Sequence, residues 1–345
     1  MFKVASITGG VNQPSSRYRV RQYIEVLKKH NIQIDDFYSV NGKYPPANKH
    51  QRIIWGIKSL FERLLQVVKI NNRDYDCIIV QREMISTLHT FERFLNKNKI
   101  LDVDDAIYLH KNGNFIKEIA TGSKAVICGN EFLADKFKAW NNNIYVVPTA
   151  VDTNKFIPPA KEKNQNEIIT LGWVGTSGGF KYIYKIEDAL NFILNKYPNV
   201  ELLIVSDMEP VFKKIKNYKF IKWSAQKEVE NFQKIDIGLM PLNDDEWTRG
   251  KCSYKMLQYM ACESSVVVTS VGMNEEVLKK SNVGFGTKDY YSDWIKSIEF
   301  LLNNESDRIR MGENGRLVVQ EYYSLDRLSE KLSCIIKDIV SEGKY

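Results

Sequence analysis

Paired cysteines, a long apolar run and a dinucleotide-binding glycine fingerprint are all missing from this 345-residue chain. Its five cysteines, Cys77, Cys128, Cys252, Cys262 and Cys334, are odd in number and never arranged as C-x-x-C. That argues against a disulfide framework or a zinc ribbon and suits a reducing cytoplasm. No apolar stretch approaches the roughly 18 residues of a membrane span. The opening Met1-Phe2-Lys3-Val4 reads as the start of a strand rather than a charged-then-apolar leader, so the expectation is a chain neither exported by a signal peptide nor integral to a membrane. Without G-x-G-x-x-G a nicotinamide dehydrogenase is disfavoured. No internal repeat or low-complexity tract points to a solenoid or a disordered tail.

What is present is the composition of a large globular protein. With 43% hydrophobic, 12% aromatic and 26% charged residues the chain can bury sizeable cores, and its length suggests two domains. The charge is uneven. Residues 1–150 hold 22 Lys and Arg against 14 Asp and Glu, so the whole basic excess of the chain, +7, lies in its first half. A one-sided positive domain suits an anionic ligand, an anionic membrane surface or nucleic acid. The basic residues are not interleaved with any recognisable RNA- or DNA-binding motif, which sets nucleic acid aside.

Short Val- and Ile-rich runs alternate with helical periodicity almost throughout. Candidate strands are 3–8, 32–38, 76–80, 99–103, 124–128 and 144–148, then 168–174, 200–205, 220–223, 235–240, 265–269 and 283–286. Runs apolar on both faces suit central strands of parallel sheets, so the pattern predicts an α/β chain of two doubly wound domains. The first covers residues 1–150 and the second 168–324. Between them 151–167, with Pro158-Pro159 and a polar tail, reads as a linker. A last helix over about 325–345 carries Leu328, Leu332, Ile335, Ile336 and Ile339 on one face.

Residues 48–70 predict a basic amphipathic helix. Ile53, Ile54, Ile57, Leu60, Phe61, Leu64, Leu65 and Val68 share a face, ringed by Lys49, Arg52, Lys58, Arg63 and Lys69, with Trp55 beside them. Such a helix either covers a sheet or lies on an anionic membrane.

Three constellations could carry chemistry. After the first strand, Gly9-Gly10 forms a turn that lets backbone approach a ligand, and the helix opening at Ser15-Ser16-Arg17 favours anions at its N-terminus. After the fourth, Asp102-Val103-Asp104-Asp105 reads as a site loop with one carboxylate facing substrate, in preference to a divalent metal site. The densest is 239–276. There Arg249, Gly250 and Lys251 precede a helix expected to start after Ser253 as N-cap, with Lys255 and Gln258 on one helix face. Two cations at a helix N-terminus make a cradle for a diphosphate.

The stretches VICGNEFLADKF…IYVVPTAVDTNKF, LGWVGTSGGFKYI and DIGLMPLNDDEWTRGKCSYKMLQYMACESSVVVTSVGMNEEV resemble, in order and spacing, the retaining glycosyltransferases of family 4. The likeness covers roughly residues 76–325. It is closest to a subgroup with D-x-D-D-A after the fourth strand and a G-K-C-x-x-K-x-L-Q-Y-M-A segment. The resemblance implies a GT-B fold, two Rossmann-like domains facing across a cleft, with the terminal helix returning to the first domain. It implies a nucleotide diphosphate sugar, UDP- or GDP-type, as donor and a glycan or lipid-linked sugar as acceptor, in synthesis of a surface polysaccharide such as capsule or O-antigen. Neither metal nor cofactor is implied, and the expected place is the cytoplasm or the inner face of its membrane.

Carried over by position, the family's Glu-x7-Glu pair falls on Gly250 and Gln258. Lys181 stands at its phosphate-binding lysine, Thr176 replaces the arginine after the Val-Gly turn at Gly175, and Asp104 and Asp105 lie near its catalytic histidine. The implied donor residues are Gly10, Gly175, Thr176, Lys181, Arg249, Gly250, Lys251, Cys252, Ser253 and Gln258. Asp104, Asp105 and Lys255 are the expected catalytic groups, and Ser16 and Arg17 the acceptor-side loop. Two rivals stand beside this reading, a GT-B-fold nucleotide-sugar epimerase and a non-catalytic nucleotide-sugar binder or scaffold subunit. The first would act without acceptor and the second would never turn over.

Overall fold

A computed structural model describes residues 1–160 and 168–342; residues 161–167 of the expected linker and the last three of the expected terminal helix lie outside them. The strands of the first half are β1 (Phe2–Thr8), β2 (Ile32–Tyr38), β3 (Cys77–Gln81), β4 (Asn98–Val103), β5 (Ala125–Cys128) and β6 (Ile144–Val146). They form one parallel sheet in the order β2-β1-β3-β4-β5-β6. Those of the second half are β7 (Ile169–Val174), β8 (Val200–Ser206), β9 (Lys219–Lys222), β10 (Ile237–Met240), β11 (Ser265–Thr269) and β12 (Gly284–Thr287), in the order β12-β11-β10-β7-β8-β9, again all parallel. The central strands are buried on both faces, every residue of β3, β5 and β11 included. This is why they read in sequence as unbroken apolar runs rather than alternating ones.

Each sheet reverses its winding once, at β1/β3 in the first and β7/β10 in the second. In open parallel sheets ligands bind outside the carboxyl ends of the strands at such a reversal. The loops at Thr8–Gly10, Gln81–Glu83, Val174–Thr176 and Met240–Leu242 are therefore marked by topology alone.

Contacts divide the chain into two units: Met1–Ala150 with Gly250–Cys252 and Leu325–Tyr345, and Val151–Arg249 with Ser253–Ser324. In the first, the helix Leu325–Glu342 buries Leu328, Leu332, Ile335, Ile336 and Ile339 against Val4, Ile79, Ile100 and Ile127 of the sheet. The other face is covered by Val67 and Ile70 of the helix Lys49–Asn71, with Ile7, Ile78 and Val80 beneath. The second unit packs Leu171, Trp173, Leu202 and Ile237 of its sheet with Leu190, Ile193, Trp294 and Ile298.

The helix Lys49–Asn71 covers the sheet with one narrow face only. Its inner face is Ser59, Arg63, Val67 and Ile70, whereas Ile53, Ile57 and Phe61 stand 64%, 65% and 63% exposed and Ile54, Leu60, Leu64, Leu65 and Val68 are exposed beside them. Two residues depart from the sequence expectation. Arg63 is not on the basic rim: it is buried and donates to the carbonyls of Thr8, Phe37 and Met84, tying the ends of β1 and β2 to the loop after β3. Trp55 turns inward, its Nε1 donating to the Asn41 carbonyl at 3.0 Å. A guanidinium has enough donors to satisfy several strand-end carbonyls at once, which an apolar residue could not.

Candidate functional site

The first constellation lies at the carboxyl ends of β1, β3 and β4. Arg19, on the helical turn Arg17–Arg21, is buried and grips Asp102 at the end of β4 through two bonds, Nε to Oδ2 at 3.1 Å and Nη2 to Oδ1 at 2.5 Å. Its Nη1 donates to the Val147 carbonyl at 2.7 Å. A buried bidentate pair of this kind fixes the first helix against β4. Asp102 is thereby committed to structure, and the three carboxylates of the Asp102–Asp105 segment do not converge. Asp104 Oδ1 lies 3.5 Å from Gln81 Nε2 and Asp105 Oδ2 lies 3.5 Å from Arg82 Nη1. Among the described residues no group of three or more His, Cys, Asp or Glu is placed to hold a metal ion. Burial first, and then the charge of Asp104, raise the Asp105 carboxyl above its usual range.

Immediately after β3, Arg82 adopts a left-handed backbone, φ 62°, and its N–H donates to the Asp102 carbonyl. Glu83 follows, buried, with Lys43 Nζ 3.6 Å and Arg82 Nε 3.7 Å from its Oε2. Burial would lift the Glu83 carboxyl, but Lys43, Arg82 and backbone hydrogen bonds outweigh it and hold the group low. The Lys43 ammonium is itself pushed down by burial to about 8.

The segment expected to be one diphosphate cradle is divided. Gly250, Lys251 and Cys252 pack with the first unit, while Arg249 and Ser253 stay with the second. A Cβ on Gly250 would meet Ala106 Cβ at 2.7 Å, so glycine serves close packing there. Cys252 Sγ sits 3.1 Å from the Asp104 carbonyl oxygen, and Asn130 Nδ2 donates to the Lys251 carbonyl. Burial pushes the Cys252 thiol up to about 12, so it is a neutral donor rather than a nucleophile. Lys251 thus joins Asp105 electrostatically in the first unit, a pairing the sequence did not suggest.

In the second unit the helix Tyr254–Ala261 carries Lys255 and Gln258 on one face as expected, Lys255 Nζ donating to Gln258 Oε1 at 2.9 Å. Gln258 is fully buried and its Nε2 has no hydrogen-bond partner, leaving a donor for a ligand oxygen. Ser253 differs from the expectation: at φ 49° it is left-handed, and its side chain makes no capping bond. Gly175 and Thr176 follow β7, where a Cβ on Gly175 would strike the Trp173 ring; next to them Ser177 N–H and Oγ both bond Asp207. Lys181 is exposed over the Tyr182 ring, and Arg249 pairs with Asp244 at 2.7 Å.

Of the acceptor-side residues, Ser16 is buried with its Oγ unpartnered and Arg17 lies over the Tyr18 ring. Gly10 lies against Gly42 in the first unit, which also holds Gly250, Lys251 and Cys252. Sequence reading passed over Arg19, Lys43, Gln81, Arg82 and Glu83. The available signal was Gln81-Arg82-Glu83 standing directly after an apolar strand at a winding reversal.

Residues 168–304 match the family profile described as Glycosyl transferases group 1. The capsular polysaccharide biosynthesis glycosyltransferase CapM of Staphylococcus aureus is 24% identical over 217 residues, 59% of this chain and 55% of the relative, so the chain spans about half the length of that curated relative. Sucrose-phosphate synthase from Thermosynechococcus elongatus superposes with a TM-score of 0.71 at 13% identity, over 99% of this chain and 100% of that one. The Anabaena protein HepE in complex with UDP-glucose does so with 0.67 at 12%, again over 99% and 100%. The chain therefore has the two-domain α/β fold of GT-B glycosyltransferases, and its residues 168–304 match a glycosyl transferases group 1 domain.

Proposed function

We propose that the protein transfers a sugar, with retention, from a nucleotide diphosphate sugar to a hydroxyl of a glycan or lipid-linked acceptor in surface polysaccharide synthesis. The observation that carries the reading is the glycosyl transferases group 1 match over the unit that also holds the Lys255–Gln258 pair and its unpartnered amide. In this reading the Val151–Ser324 unit binds the donor. Gln258 bonds ribose hydroxyls, while Lys181 and Lys255 neutralise the diphosphate as it leaves; charge placed where charge develops is the largest single catalytic term in most enzymes. The first unit binds the acceptor, and Asp105 faces the positive character that grows at the sugar ring. UDP is the first donor base to try, because HepE was solved with UDP-glucose.

A thermal-shift panel of nucleoside diphosphates and their sugar conjugates, without metal, tests this. One nucleotide is expected to raise Tm, with Lys255→Ala and Gln258→Ala each weakening binding roughly tenfold or more, the loss of one charge-assisted or one buried hydrogen bond. No shift with any nucleotide, or a shift untouched by both substitutions, overturns the donor assignment.

The outward apolar face of the helix Lys49–Asn71 supports peripheral contact with an anionic membrane, where a lipid-linked acceptor would be met. Among the described residues no helix is long and apolar enough to cross a bilayer. Exposed Lys58 and Lys69 border the apolar arc, and each basic residue near an anionic leaflet contributes about 1 kcal/mol. Vesicles containing phosphatidylglycerol are expected to bind the protein at low salt. Lys58→Glu/Lys69→Glu and 0.5 M salt should each reduce this about tenfold or more. Binding indifferent to both, or stronger to neutral vesicles, would remove the membrane from the reading.

A further inference from the structure

At the winding reversal of the first sheet, one cluster differs from two other ion pairs of the unit. Arg19–Asp102 and Arg21–Asp36 close to 2.5 and 2.8 Å. Lys43–Glu83, Arg82–Glu83 and Arg82–Asp105 all stand off at 3.5–3.7 Å, the outer edge of a hydrogen bond or beyond it. Lys43, Arg82 and Glu83 are nonetheless 3%, 6% and 2% exposed. Lys43 Nζ, Arg82 Nε, Glu83 Oε2 and the neighbouring Gln81 Oε1 are all buried without a hydrogen-bond partner. Buried polar atoms are rarely left so, and four in one place mark a position where something polar belongs. The left-handed backbone of Arg82, costly for a residue with a Cβ, is the kind of strain that persists where a side chain must be aimed.

The spacing selects the chemistry. Two atoms 3.6 Å apart are too far for a good mutual bond, but each lies within reach of one hydroxyl oxygen set beside them. That hydroxyl accepts from Lys43 and donates to Glu83; a second does the same between Arg82 and Glu83 or Asp105. Charge points the same way. The four groups within ion-pair range of one another, Lys43 and Arg82 against Glu83 and Asp105, sum to zero, so the cluster offers no excess positive charge to a phosphate or carboxylate.

We propose that Lys43, Arg82 and Glu83 form a subsite for an uncharged, polyhydroxylated sugar, gripped by neighbouring hydroxyls. Resting on the transfer reading above, this names the terminal unit of the acceptor: a neutral sugar, not an acidic or phosphorylated one. Asp105, held by Arg82, then lies beside the bound unit, and Arg82 is its positioning residue.

Saturation-transfer NMR on the full chain tests the subsite, using methyl glycosides of glucose, galactose, mannose and N-acetylglucosamine, with glucuronate and glucose 6-phosphate as charged comparisons. At least one neutral glycoside is expected to bind and both charged sugars to bind more weakly. Lys43→Met/Glu83→Gln removes both charges together and so strands neither; it should lower glycoside affinity roughly tenfold or more while leaving the nucleotide-induced Tm shift in place. Should that variant fail to fold, Glu83→Gln alone is expected to lower affinity in the same direction. Binding of charged sugars only, binding of none, or binding unchanged in the variants overturns the subsite. Failure of every nucleotide to raise Tm overturns the transfer reading instead, so the two failures are told apart.

Discussion

Replacing Arg19 by methionine is expected to cost about 3–5 kcal/mol of stability, because it leaves the Asp102 carboxylate buried with its main partner gone. The Val147 carbonyl loses its donor in the same step. Asp102→Leu should cost a similar amount for the mirror reason, a buried guanidinium without its anion. The double variant Arg19→Met/Asp102→Leu removes both charges and is expected to recover most of the loss, since a well-packed apolar pair is often as stable as a buried ion pair. Urea unfolding of the four proteins gives the coupling directly. A double variant no more stable than either single one would show that the loss comes from packing rather than from an uncompensated charge. The pair joins the first helix to β4, so its loss should also loosen the Asp104–Asp105 loop.

The largest expected effect on turnover is that of Asp105→Asn. The substitution keeps the size of the side chain and removes the charge that faces the reacting sugar in the proposed mechanism. A loss of about 10²–10³ in transfer rate is expected, the usual consequence of removing one preorganised electrostatic group. The nucleotide-induced Tm shift should survive, because the donor diphosphate is held by other groups. Arg82→Lys offers the companion test of positioning. It keeps one positive charge but gives up the planar fork that spans Glu83 and Asp105. A changed pH profile of transfer, following the raised Asp105 carboxyl, is expected in Arg82→Lys. A merely structural arginine would lower stability and leave that profile where it was.

The unit boundaries also bear on how variants of the 249–253 segment should be read. Arg249 and Ser253 report on the second unit and Gly250–Cys252 on the first. A bulky residue at Gly250 is blocked by Ala106, so a loss of activity there would reflect displaced backbone before it reflected a lost sugar contact.

The central strands of the two sheets were legible from sequence because they are buried on both faces. An apolar run of five or six residues bounded by polar turns has few other uses in a chain of this length. The face of the terminal helix was legible for a related reason, its apolar residues recurring at helical spacing. Lys255 and Gln258 could be paired from spacing alone, since residues three apart on a helix are neighbours whatever surrounds them. The helix Lys49–Asn71 was not settled in this way. Periodicity reports that a stripe exists, but the inward face proved to be the narrow one around Arg63, which no hydrophobic pattern marks. The contacts that build the first constellation were equally hidden. Arg19 and Asp102 are 83 positions apart, and Cys252 and Asp104 are 148. Local sequence determined the strands and helices because their hydrogen bonds and faces repeat over a few residues. Only the tertiary structure decided which charges are buried together, because parallel strand order brings the carboxyl ends of β1, β3 and β4 side by side regardless of the chain length between them.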